Sequence, residues 1–256
     1  MNHTLHSRAS GQGPDVLLLH GLFGQGTNLR SVARALEPEF RVHGLDLPDH
    51  GQSLWLSDAS LPAYAACVSD WMADHGIDHA HVIGHSLGGK VAMELALTAP
   101  SRVGRLVVAD IAPVAYPRGH QAIIAALEAV QSSAFRSRAD AEATLRDAIE
   151  DPGVIGYLLM SLKAEAGVYQ WRFNLEGLAA AYNRLGEAPS DTGEFAGPSL
   201  FLRGAQSSYV LPEHEDTIKR RFPASALVTI DRAGHWLHVD QPQTFNQQVR
   251  DFLYGI

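Results

Sequence analysis

A single cysteine, Cys67, in 256 residues excludes an internal disulfide. That usage fits a reducing compartment and also suits many exported proteins. No apolar run is long enough to cross a bilayer. The polar start "MNHTLHSRAS" has no signal-peptide character, so the expected location is the cytoplasm. Lysine and arginine total 20 against 28 acidic residues, a net charge of −8. Without a basic cluster, nucleic acid is excluded as an expected partner. The 13 histidines show no metal-ligand spacing: "HAH", His79 to His81, has no partner motif, and no metal site is expected. Internal repeats and low-complexity tracts are also missing.

What is present is an ordinary globular composition, 46% hydrophobic and 19% charged, in a chain at the upper end of single-domain size. Short apolar runs alternate with stretches of helical spacing. Asp15 to Gly21, Phe40 to Leu47, Ala80 to Ser86 and Gly104 to Asp110 read as strands. Asn28–Leu36, Leu61–His75 and Leu87–Ala99 between them read as helices. From Pro113 to about Phe195 the chain is Ala-rich and helical, with no convincing strand. Strands resume at Pro198 to Gly204 and Ala226 to Ile230, with helices near Glu213–Phe222 and Gln243–Tyr254. The alternation predicts a mostly parallel sheet covered on both faces, interrupted by a helical insertion. That insertion is either extra packing or a lid over a site at the carboxyl ends of the strands.

Four pieces carry the chemistry. "GHSLG", Gly84 to Gly88, lies between an apolar strand and an amphipathic helix. Ser86 is thereby placed on a strained strand-to-helix turn with its hydroxyl exposed, beside the first free amides of the helix; the competing reading is a serine that merely N-caps the helix. "LLLHGLFG", Leu17 to Gly24, is a glycine-rich turn after the first strong strand. Its Leu22 amide, with that of Leu87, forms the expected oxyanion hole; the Phe23 amide is an alternative donor, and His20 reads as a turn residue. "RAGHW", Arg232 to Trp236, follows the last strand and offers His235 as the base, with His238 as its rival.

The imidazole needs an acceptor. The loop from Gly204 to Tyr209 holds Ser207 and Ser208 but no carboxylate, and Glu213, Glu215 and Asp216 lie on an apparent exposed helix face. Asp231 precedes His235 too closely. Asp110 remains, at the end of the strand beside the serine's, and is the expected orienting acid, with Ser207 as a supporting partner; otherwise Asp110 caps the turn before Pro113. "LDLPDHGQS", Leu45 to Ser53, reads as a polar structural loop despite Asp46 and His50, and Cys67 reads as core.

In this order the motifs "HGLFG", "D-x-P-x-H-G-x-S", "GHSLGG" and "GHW" resemble the α/β-hydrolase fold family over essentially the whole chain. "DIAPVAY", "WRFN" (Trp171 to Asn174) and "RGAQSSYV" narrow the likeness to the YbfF-type bacterial esterases. The resemblance implies a mostly parallel eight-stranded sheet flanked by helices, with a helical cap inserted after the sixth strand. The core is then residues 1–112 and 197–256, and the cap 113–196. It also implies hydrolysis of carboxylic esters or acyl thioesters without a cofactor, through Ser86, Asp110 and His235 with Ser207 in support. Phe23, Trp171 and Phe173 are expected to line an apolar acyl pocket, or else to be core. Rival readings are a carbon–carbon bond hydrolase, a cofactor-free haloperoxidase, or a slow-turnover small-molecule receptor on the same fold. Dehalogenases and epoxide hydrolases are disfavoured, because they use an aspartate where Ser86 stands.

Overall fold

The computed structural model describes residues 4–117, 119–132, 137–165, 168–191 and 193–255. Strands β1 (Ser7–Ser10), β2 (Asp15–Leu19), β3 (Arg41–Leu45), β4 (Ala80–His85), β5 (Val103–Ala109), β8 (Ser199–Gly204) and β9 (Ser225–Ile230) form one sheet. Its order is β1-β3-β2-β4-β5-β8-β9. Only β1 runs antiparallel, against β3, and the other pairings are parallel. The expected eight strands are therefore seven among the described residues, and the insertion follows the fifth strand in chain order, not the sixth. Those counts came from the resemblance; here the sheet opens directly on its antiparallel edge strand.

The continuous apolar runs follow from burial on both faces. Along β2, Val16 and Leu18 face one core with Val42, Ile83 and Val107, while Leu17 and Leu19 face the other with Leu45, Val82 and Val108. The first core is closed by α1 (Arg30–Leu36), the short α9 (Leu237–Asp240) and the terminal helix α10 (Pro242–Tyr254), through Val32, Leu36, Leu237, Phe245 and Val249. The second is closed by α2 (Leu61–Asp74) and α3 (Leu87–Thr98), with Tyr64, Val68, Val91 and Leu95. Helix α8 (Glu215–Arg221) adds Ile218 to that second side.

Between β5 and β8 lie α4 (Gln121–Ser132), α5 (Arg138–Arg146), α6 (Pro152–Leu159), β6 (Leu162–Glu165), β7 (Val168–Trp171) and α7 (Leu175–Leu185). The insertion is thus not wholly helical: β6 and β7 pair as an antiparallel hairpin. Its apolar side, including Leu127, Leu145, Leu158 and Leu178, is continuous with the second core. Asn174 caps α7 through Gly177 N at 3.0 Å and donates its amide to Asp49 Oδ1 at 2.9 Å. Asp49 is fully buried and also accepts Tyr64 Oη at 2.9 Å. Lys90, in the first turn of α3, buries its ammonium against both roots of the insertion. It donates to the carbonyl of Val114 at 3.0 Å, of Gly186 at 2.7 Å, and of Glu187.

No helix among the described residues is long and apolar enough to cross a membrane.

Candidate active site

Parallel strands deliver their carboxyl ends to one edge of the sheet, which is where ligand sites of open α/β sheets form. Among the described residues, the non-glycine positions with positive φ are Phe23, Asp49, Ser86, Asp110 and Arg232. Each sits in a loop leaving β2, β3, β4, β5 or β9. Such conformations cost about 1–3 kcal/mol each and persist only where surrounding structure enforces them.

Ser86 has φ 54° and ψ −119°, and its side chain makes no capping hydrogen bond to α3. The N-cap reading is therefore set aside, and the hydroxyl is turned to the cleft, on whose wall it lies. The flanking glycines are steric necessities. A Cβ on Gly84 would overlap the carbonyl of Gly88, and one on Gly88 would overlap that of Leu19.

Asp110 is completely buried. Its Oδ1 accepts Gly204 N at 3.0 Å, and its Oδ2 accepts the Ser207 hydroxyl and pairs with His235 Nδ1 at 2.8 Å. Those partners answer the desolvation cost of a carboxylate set among apolar residues. An acceptor on Nδ1 places the ring proton there and leaves Nε2 as the basic nitrogen. The His235 ring stacks on Tyr209 at 4.0 Å with an interplanar angle of 20°. Its carbonyl accepts His85 Nε2 at 2.8 Å. His85 is held neutral, well below the usual imidazole range, by burial first and then by the facing His235 and His238 rings. His238 is buried and lies off the cavity wall, and burial then His235 push it down to about 4. It packs behind His85, with ring centroids 4.8 Å apart, and is not positioned as the base.

The turn after β2 is fixed by two buried histidines. His20 Nε2 accepts Leu47 N at 3.0 Å, so Nδ1 donates to Gly21 O at 2.8 Å. His50 Nε2 accepts Phe23 N at 3.0 Å, which removes the Phe23 amide as an oxyanion donor. Burial pushes His50 down to about 3. Asp46 joins its own loop to the next strand-end turn, accepting Gly26 N at 2.7 Å and Gln52 N at 3.0 Å. The "LDLPDHGQS" loop is thus a structural clasp.

A cavity of about 270 Å³ opens over Ser86 and His235, with Leu22, Phe23, Ile123, Tyr157 and Trp236 on its walls. A smaller lobe of about 70 Å³ continues on the other side of Ser86, past Leu87 and Tyr182. Of the aromatics expected there, Phe23 is on the wall, but Trp171 and Phe173 are not. They stack on each other at 5.3 Å, and Phe173 meets Phe23 at 5.1 Å. Trp171 donates its indole to Leu127 O at 3.1 Å. Both are packing behind the pocket. Residues not singled out from sequence enter instead. His120 pairs with Tyr182 Oη at 2.6 Å and Tyr209 Oη at 3.2 Å, and Tyr157 donates to Gly21 O at 3.0 Å. The His120–Tyr209 and Tyr157–Gly21 contacts span the insertion boundary, and no local pattern announces them.

A family model described as the alpha/beta hydrolase fold matches residues 14–242. The chain belongs to the α/β hydrolase fold family. Among curated members of the family, it is 38% identical to the sn-1-specific diacylglycerol lipase ABHD11 of Mus musculus over 250 residues, covering 94% of this chain and 81% of that one. It is 35% identical to esterase YbfF of Escherichia coli K12 over 242 residues, covering 93% and 92%. A solved α/β hydrolase, a marine microorganism esterase, superposes with a TM-score of 0.95 at 33% identity, covering 98% of this chain and all of that one.

Proposed function

We propose that the protein hydrolyses carboxylic esters, and acyl thioesters of similar shape, through an acyl-enzyme on Ser86. The observation that carries this reading is the serine at a strained apex sharing one cleft with an imidazole tied to a buried carboxylate. His235 Nε2 takes the hydroxyl proton as Ser86 Oγ attacks the acyl carbon. The amides of Leu22 and Leu87 hold the oxyanion, and His235 then protonates the departing alcohol or thiol. Water, deprotonated by the same nitrogen, releases the acid. Asp110 keeps the ring in the productive tautomer, and Ser207 holds the carboxylate. The apolar part of the substrate occupies the 270 Å³ cavity. Residues 113–196 act as its cap. Relatives named as an esterase and a diacylglycerol lipase support the ester class.

The test is a fluorophosphonate probe with a p-nitrophenyl ester assay. The wild-type protein is labelled on Ser86 and releases nitrophenol; Ser86→Ala does neither. Full turnover in that variant would sink the proposal.

A further inference from the structure

The peptide unit between Gly21 and Leu22 carries the amide assigned above to the oxyanion. A trans peptide is planar, with its C=O and N–H pointing in opposite directions. Whatever fixes the Gly21 carbonyl therefore aims the Leu22 N–H. Three donors converge on that oxygen: His20 Nδ1 at 2.8 Å, Gly24 N at 3.0 Å and Tyr157 Oη at 3.0 Å. The first two belong to the turn itself. The third arrives from α6, in the insertion, 136 residues away.

The surrounding packing is built for this hydroxyl. A Cβ on Gly24 would overlap the Tyr157 oxygen, so the last glycine of "HGLFG" leaves the space the phenol fills. A Cβ on Gly21 would lie 3.3 Å from the same oxygen and 3.4 Å from Ser86 Cβ, which sets the peptide directly beside the nucleophile. The Tyr157 ring also packs on Trp236, the neighbour of His235, at 5.7 Å. One further bond clamps the loop from the same side: Ser161 Oγ donates to Phe23 O at 2.8 Å.

We propose that Tyr157 is a positioning residue, through which the inserted segment sets the direction and donor strength of the oxyanion-binding Leu22 amide. Each donor on the carbonyl draws electron density toward oxygen and polarises the N–H at the other end of the plane. The hydroxyl thus strengthens a bond made to a developing negative charge, while a neutral ground-state carbonyl gains little. It also makes the hole complete only when α6 is seated, so binding of substrate under the insertion and readiness of the oxyanion site become one event. This inference rests on the ester-hydrolase reading above.

The experiment is Tyr157→Phe in the full chain, which keeps the ring and removes the hydroxyl. The expected result is kcat lowered about tenfold with KM within twofold. Affinity for a phenylboronic acid, which forms a tetrahedral anion on Ser86, falls by the same factor. Affinity for benzamide, the planar carboxamide of the same ring, does not change. Unchanged kcat and boronate affinity in a folded Tyr157→Phe protein would overturn the proposal. So would equal losses of boronate and carboxamide affinity, which mark simple pocket damage. If the wild-type protein itself neither turns over esters nor takes the probe, it is the functional reading that fails instead.

Discussion

Asp110 is the residue on which the proposed chemistry turns most narrowly, since three donors converge on its two oxygens. Replacing it with asparagine keeps the shape and the Gly204 contact but presents an amide to His235 Nδ1. The ring then loses its reason to hold the proton on that nitrogen. Turnover of Asp110→Asn is expected to fall on the order of 10⁴-fold with little change in KM, the scale of tautomer loss in serine hydrolysis; steady-state kinetics on a nitrophenyl ester checks it. A loss under tenfold would assign the orienting role elsewhere. The contact of Asp110 with His235 could be read from sequence because a strand of apolar residues ends on Asp110, while Glu213, Glu215 and Asp216 lie on helical turns and Asp231 stands too close to His235 along the chain. Trp171 and Phe173 could not be placed in the same way. An aromatic residue has the same character whether it lines a pocket or packs behind one, and only the ring stack behind Phe23 decides it. Tyr157 left no trace at all: in "VIGYLLM" it reads as one more apolar helix position, and its partner is 136 residues distant.

At the scale of elements, the junction of β4 and α3 depends on backbone passing backbone without a methyl between. Gly88→Ala forces a Cβ into the Leu19 carbonyl, and no flexible side chain can yield there. Thermal unfolding is expected to show a loss of about 3 kcal/mol or more. Gly156→Ala is the control. That glycine lies within α6 with nothing in van der Waals reach of an added Cβ, so alanine there adds about 0.5–1 kcal/mol of stability. The parallel strands were legible because burial on both faces writes them as unbroken apolar runs. β1 and the β6–β7 hairpin escaped because "SRAS", "LKAE" and "VYQW" carry no such run. Their pairing comes from neighbouring backbone, which hydrophobic pattern does not record.

Across the whole molecule, the buried histidines make the fold sensitive to acid. His50 and His238 are neutral in the folded chain, with burial pushing them to about 3 and about 4 from a usual value of 6.5. The folded values lie below the unfolded ones, so between pH 6.5 and 4 the unfolded chain takes up protons that the folded chain refuses. Stability is fully present above pH 6.5 and drains as the pH falls through that window. The slope is at most about 1.4 kcal/mol per pH unit for each ring. Urea unfolding at pH 7 and pH 5 should show a lower midpoint at pH 5, and equal midpoints would contradict the neutral, buried assignment.

Lys90 lies one helical turn past Ser86, and its ammonium is held by the chain where it leaves the sheet, at Val114, and where it comes back, at Gly186 and Glu187. A hinge at those two points would strip the buried amine, which burial pushes down to about 7, of all three carbonyl acceptors, and an unpaired buried polar group is costly. With residues 113–196 as the proposed cap, any opening over the cleft falls beyond those two anchor points and leaves the helix that starts at Ser86 undisturbed.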